Sequence, residues 1–172
     1  MIEPTNVRRI ASRAITTPYN PLTLLHLLIA ALVLAVTLTP VAAHAGLGAT
    51  VDSVARDEAM LKGVDLVTPT ANYDLHEIKA ATGTTVREYV SRQGTVFAVT
   101  WEGRTTPDLE QLLGSSYSRY LAEARTHRMG HHLLSINTPD LVASVVRLQR
   151  SSIGHVHLPA LVPAGVAVAE LR

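Results

Sequence analysis

The sequence predicts an α+β fold: a mainly antiparallel sheet of five to six strands, one long amphipathic helix on a face, and a short N-terminal helix. Three observations carry this expectation. β-Branched and aromatic runs recur at hairpin spacing between residues 73 and 102, each bounded by turn residues. A stretch of helical apolar periodicity begins at Leu109, and β-rich runs resume beyond residue 131. Strands grouped before and after one helix point to segregated α and β parts rather than alternating βαβ units.

The elements follow in order. Residues 51–62, VDSVARDEAMLK, place Val51, Val54, Ala55, Ala59 and Met60 or Leu61 at helical spacing. Gly63 stops this short helix, and Pro69 falls in a linker. A meander comes next: YDLHEIKA (73–80), a turn at Thr82-Gly83, TTVREYV (84–90) and TVFAVTWE (95–102). Gly94 closes the second turn in the left-handed conformation that glycine enters at least cost. Thr105, Thr106, Pro107 and Asp108 then combine hydroxyl caps, a first-turn proline and an acid at the positive helix end. Leu109, Leu112, Leu113, Tyr117, Tyr120, Leu121 and Ala124 form one apolar stripe, with Glu110, Gln111, Ser115, Arg119 and Glu123 off it. Such a helix needs a sheet to cover. Gly130 ends the region, and residues 132–138, 141–150 and 151–158 read as strands. Pro159, Pro163 and Gly165 mark an extended tail packed over the domain.

The first 45 residues have another character. Arg8, Arg9 and Arg13 precede the apolar run LTLLHLLIAALVLAVTL, and Ala43-His44-Ala45 is a small-x-small site. This is the pattern of a signal peptide cleaved between Ala45 and Gly46, leaving one domain over residues 46–172 in the periplasm or medium. An uncleaved anchor is the alternative, because the run approaches the roughly 20 residues that span a bilayer. In both cases the arginines stay in the cytoplasm and the rest faces outward. The membrane is then met only through this segment. Gly46-Leu47-Gly48 reads as a flexible start to the exported domain.

The 172-residue chain carries a net charge of +1; without the three arginines and one glutamate of the first 45 residues, 12 basic and 13 acidic residues remain. A near-neutral domain without a basic run has little with which to displace counterions, so nucleic acid is not an expected partner. The absence of cysteine removes disulfides and thiol chemistry from an exported protein.

The stretch TVREYVSRQGTVFAVTWEG, residues 85–103, holds the only Phe and the only Trp. Two hairpin registers suit Gly94. A three-residue loop pairs Tyr89 with Phe97, placing Arg87, Tyr89, Phe97, Val99 and Trp101 on one face and Glu88 on the other. A four-residue loop sets Glu88 opposite Phe97 instead. A carboxylate among apolar groups is costly without a partner, which favours the first. Arg87, Glu88, Tyr89 and Trp101 are therefore the candidate binding surface, with cation–π contact open to Arg87. The alternative is that these aromatics are the core under the helix, with Arg87 at its edge.

His131, His132, His155 and His157 are the candidate metal ligands, since imidazoles two apart on a strand can share zinc or copper. No carboxylate or thiolate completes the set, and no cofactor is expected. Hydrolytic chemistry lacks a signature: G-x-S-x-G, H-E-x-x-H, P-loop and G-x-G-x-x-G are all missing. Glu77 or Glu88 with Asp108 is the one carboxylate pairing open to glycoside chemistry.

Tyr73-x-x-His76-Glu77, Gly83-Thr84-x-Val86-Arg87-Glu88-Tyr89-Val90, Gly94-x-Val96-Phe97-Ala98-Val99-x-Trp101-x-Gly103 and Pro107-Asp108-Leu109-x-x-Leu112-Leu113-Gly114 follow one another in this chain. The pattern, with Leu158-Pro159-x-x-x-Pro163-x-Gly165-Val166 at the end, resembles the domain of unknown function 2844, a family of small exported bacterial proteins. The resemblance implies export and one domain, and it supplies no catalytic residue or ligand. The expected function is a non-enzymatic binding or envelope-assembly protein with an envelope protein as partner. A periplasmic metal binder and, behind it, a hydrolase are the alternatives.

Overall fold

The computed structural model describes Leu22, residues 46–129 and residues 132–171. Apart from Leu22, the predicted signal segment, with Ala45 of its predicted cleavage site, lies outside the described residues. From Gly46 onward the described residues belong to one compact unit. Among the described residues, no helix is long and apolar enough to cross a membrane.

The helix α1 spans Asp52–Leu61 and leads into four strands, β1 Val64–Pro69, β2 Tyr73–Lys79, β3 Thr85–Ser91 and β4 Val96–Gly103. Two helices follow, α2 Leu109–Leu113 and α3 Tyr117–Thr126, joined by a 3-10 turn over Gly114–Ser116. The remaining strands are β5 Arg128–Met129, β6 Leu133–Asn137, β7 Val142–Leu148 and β8 Ser151–His157. Strand order is β1-β2-β3-β4-β8-β7-β6-β5, with every neighbour antiparallel. Two four-stranded meanders thus stand side by side, joined by the nonlocal β4–β8 pair.

The α+β class holds, and its details differ from expectation. The sheet has eight strands rather than five or six. β1 occupies the predicted linker; it is an edge strand with mostly exposed side chains, so it shows no clean apolar alternation, and Pro69 is tolerated at its end. The long helix is broken at Gly114, whose φ of +48° interrupts helical geometry. Its cap is the Asp108 carboxylate, which accepts from the Glu110 and Gln111 amides at 3.0 and 3.2 Å, rather than a threonine hydroxyl. The apolar stripe survives the break, with Leu109, Leu112, Leu113, Tyr120 and Ala124 buried.

The presumed flexible start is also ordered. The Leu47 amide donates to Leu112 O, Gly48 to Val96 O, and Val96 back to Ala49 O, all within 2.9 Å. Leu47 is consequently in the core.

The two sheet faces are covered differently. The helices cover the inner face, over Ile78, Val86, Val90, Val99, Trp101, Val145 and Val156. Part of the outer face is covered by the tail after β8, whose Val162, Val166, Val168 and Leu171 pack on Tyr73, Leu75, Tyr89, Phe97 and Ala98. The tail expectation holds. The other part of the outer face, over β6–β8, is open.

Candidate functional site

The β3–β4 hairpin starts with Ser91 and Thr95 joined across a three-residue loop and Gly94 at φ +78°. Val90 pairs with Val96, after which the register shifts by one residue, so that Tyr89 faces Ala98, Glu88 faces Val99 and Val86 faces Trp101. Phe97 is the extra residue of a β-bulge. Neither predicted register survives beyond this point. Of the four candidate residues, the favoured register set only Glu88 on the opposite face; in the structure Trp101 joins Glu88 inward, and Arg87 and Tyr89 point outward.

Three of those four are core. Trp101, Glu88 and Tyr89 are 1 %, 0 % and 2 % exposed. The Trp101 indole donates to Ser152 Oγ at 3.0 Å and lies over Gly154, its cross-strand partner, where a Cβ would overlap the ring. Tyr89 is sealed under the tail, edge-on to Tyr73 at 5.6 Å between centroids. Arg87 alone reaches a surface; its Nε donates to Glu77 Oε2 at 2.9 Å.

Glu88 lies on the face of Val86, Val90 and Val96, as the favoured register had it, with Val99 and Trp101 joining that face in place of Ala98. It belongs to a polar cluster that the inner face encloses. α1 turns Ser53 and Asp57 inward, both fully buried, and β1 and β2 add Asp65 and His76. Gln111 Nε2 donates to Asp57 Oδ1 at 2.6 Å, and Asp65 Oδ2 contacts His76 Nδ1 at 2.7 Å. The Asp57 and Glu88 carboxyls are neighbours in this cluster, and neither Glu88 oxygen has a hydrogen-bond partner. Burial, then the neighbouring Asp57 charge, raises Glu88 well above the ordinary carboxylate range. Asp57 is raised by burial and drawn back by Gln111. Glu88 is therefore the carboxyl that stays neutral. Ser53 Oγ, Asp57 Oδ2, Asp65 Oδ1 and both Glu88 oxygens have no hydrogen-bond partner. Ser53, Asp57, Glu88 and His76 are all buried there.

The open site is on the other face. Glu77, Arg87, Thr100, His155 and Ser144 are successive cross-strand partners on β2, β3, β4, β8 and β7. They form one polar row across the sheet. A cavity of about 330 Å³ lies along it, lined by Arg87, Thr100, Ser144, Val146, Ile153 and His155 among others, with Leu171 of the tail as a wall. Thr100 is 3 % exposed, and its Oγ1 has no hydrogen-bond partner. A buried hydroxyl left unpaired costs roughly 1–3 kcal/mol. Burial and then His157 push His155 down to about 4, and burial also lowers His157. Both are neutral near pH 7, with His155 Nε2 and His157 Nδ1 3.1 Å apart.

Of the predicted metal ligands, His155 and His157 come together. His132 lines a separate groove of about 150 Å³ beneath α3, and His131 lies outside the described residues. Among the described residues, no group of three or more His, Asp or Glu side chains is placed to hold a metal ion. The carboxylate pairing also fails to form: Glu77 binds Arg87 on the outer face, Glu88 meets Asp57 inside, and Asp108 caps α2. Among the described residues, no serine hydroxyl bonds a histidine.

Sequence reasoning missed Asp57, Asp65 and His76 inside, and Thr100 and Ser144 outside; it named Glu77 only as a carboxylate to pair with Asp108. Glu88 did carry a signal, since strand alternation aligns it with Val86 and Val90. The outer row carried none, because only the β4–β8 pairing assembles it.

No curated protein and no solved structure matches the chain. A family model, described as a protein of unknown function (DUF2844), matches residues 43–171. The match covers the whole described domain from α1 to the tail, and the chain belongs to the DUF2844 family.

Proposed function

We propose that the chain is an exported, non-enzymatic binding protein of the cell envelope whose recognition surface is the open half of the outer sheet face. The observation that carries this reading is Thr100. A nearly buried hydroxyl without a partner lines a concavity beside a guanidinium, at a stability cost that a bound ligand would offset. The concavity's volume falls at the small end of ligand sites. The arginine-flanked apolar segment before Gly46 supports export.

A ligand-observed NMR screen of mixed small acids, sugars and peptides tests it. Hits whose shifts map to Arg87, Thr100, Ser144 and His155 support the reading. Hits confined to other surfaces, or none at all, defeat it.

A metal-binding reading draws on one observation. Two neutral imidazole nitrogens 3.1 Å apart lie a little inside the roughly 3.3–3.4 Å that separates two ligands on one tetrahedral ion with bonds of about 2.0–2.1 Å. The remaining ligands would come from water or the bound partner. Calorimetry with Zn²⁺ and Cu²⁺ on tag-free protein decides it; no uptake at about 100 μM, well above structural-site affinities, ends it.

A further inference from the structure

We propose that the ligand of the outer groove is a monocarboxylate with an apolar body, its head on Arg87 and Thr100 and its body across β8 and β7. This rests on the reading of the groove as a binding site and deepens it by naming the ligand's chemistry.

The head is set by the polar row. Arg87 is engaged through Nε alone, by Glu77, which leaves its terminal nitrogens to donate. Thr100 Oγ1 has no partner, and Ser144 is an exposed hydroxyl two strands away. When His157 donates to His155 Nε2 across their 3.1 Å contact, the neutral His155 carries its own proton on Nδ1, the nitrogen left over. Each of these groups can supply a hydrogen bond, so the complement is an acceptor. A guanidinium with two free nitrogens matches the fork of a carboxylate.

The charge is limited to one. Glu77 already offsets part of Arg87, and the Glu102 carboxylate lies at the rim of the same groove. A dianionic phosphate would meet one arginine and two acids. A single carboxylate does not need more cation than Arg87 supplies.

The body is set by the next row along the strands. Glu102, Ile153, Val146 and Leu133 are successive partners on β4, β8, β7 and β6, with Ile153 47 % and Leu133 38 % exposed. From Thr100 to Val146 is two strands across and one row along, about 12 Å at ordinary strand spacings. An extended chain of roughly eight to ten carbons covers that length, using the same estimate. Its tail would lie on Ile153, Val146 and Leu133, an apolar strip in which Ile153 and Leu133 are exposed among the described residues.

Decanoate, decan-1-ol and acetate, titrated below micelle-forming concentrations, separate head from body. The expected result is decanoate binding at least about tenfold tighter than the alcohol, equivalent to about 1.4 kcal/mol, with acetate weaker than both. Arg87→Gln and Thr100→Val should each weaken decanoate about tenfold or more and leave decanol where it was. A leucine-terminated dipeptide compared with its amide identifies a chain terminus as the source of the carboxylate if the free acid outbinds decanoate. Equal affinity for decanoate and decanol at the groove overturns the carboxylate while the groove remains a binding site. No groove binding by any of these acids overturns the inference too. The binding reading itself falls only if the wider mixed screen leaves the groove residues unmoved.

Discussion

Glu88 of β3 and Asp57 of α1 are neighbouring carboxyls inside the core, both fully shielded from solvent. Burial and the Asp57 charge raise Glu88 well above the ordinary carboxylate range, so Glu88 keeps its proton. Below about pH 4.5, the ordinary value for Glu88, the acid is protonated in folded and unfolded chains alike. Above it, the unfolded chain releases the proton while the folded chain keeps it. Stability therefore falls as pH rises, until the raised folded value is passed. Glu88→Gln mimics the protonated acid and should gain on wild type between about pH 5 and pH 8. Urea unfolding at both pH values checks this. An equal difference at the two ends would contradict the proton assignment.

The histidines act on the opposite limb. His155 is lowered from 6.5 to about 4, so the unfolded chain takes up a proton that the folded chain refuses in that window. Stability falls as pH drops from about 6.5 towards 4, and His157 adds to the loss in the same direction. His155→Gln should flatten this limb in thermal unfolding. An unchanged slope would mean that His155 is solvated in the native state.

Gly154 and Trp101 form a size-matched cross-strand pair at the centre of the inner face. Gly154→Ala forces a methyl into the indole and should cost about 1–3 kcal/mol, the usual range for overpacking. Denaturant unfolding measures it directly. A loss below about 0.5 kcal/mol, the level of an unconstrained surface change, would show that the indole moves aside freely.

At α2, Asp108 holds two otherwise orphaned amides. Asp108→Ala should cost about 1 kcal/mol, as for other lost caps, whereas Asp108→Asn should cost little. Equal losses in the two variants would place the effect in the charge rather than the cap.

The sequence revealed the fold where the signal was local. Gly94, the alternation in β2 to β4 and the Leu109–Ala124 stripe identified the hairpins, the helical region and their apolar faces. It did not reveal Phe97 as a bulge, because a one-residue slip changes faces without changing composition. On the cost argument Glu88 was set away from Phe97 and on the Val86, Val90 and Val96 face, where it does lie; its neighbour there, Asp57, stands 31 positions earlier in the chain. Arg87, Thr100, Ser144 and His155 meet only through the strand order, and β4 and β8 are separated by both helices. No periodicity encodes that pairing.

Thr100 tests the central claim most directly, because stability and binding should move in opposite directions there. Thr100→Val removes a buried hydroxyl without a partner while keeping the branched shape, so its unfolding free energy should equal or exceed wild type by up to about 1–3 kcal/mol. The same protein should lose affinity for the groove ligand. A variant that is less stable than wild type and binds as before would show that the hydroxyl serves the fold, and the groove would lose its strongest mark of function.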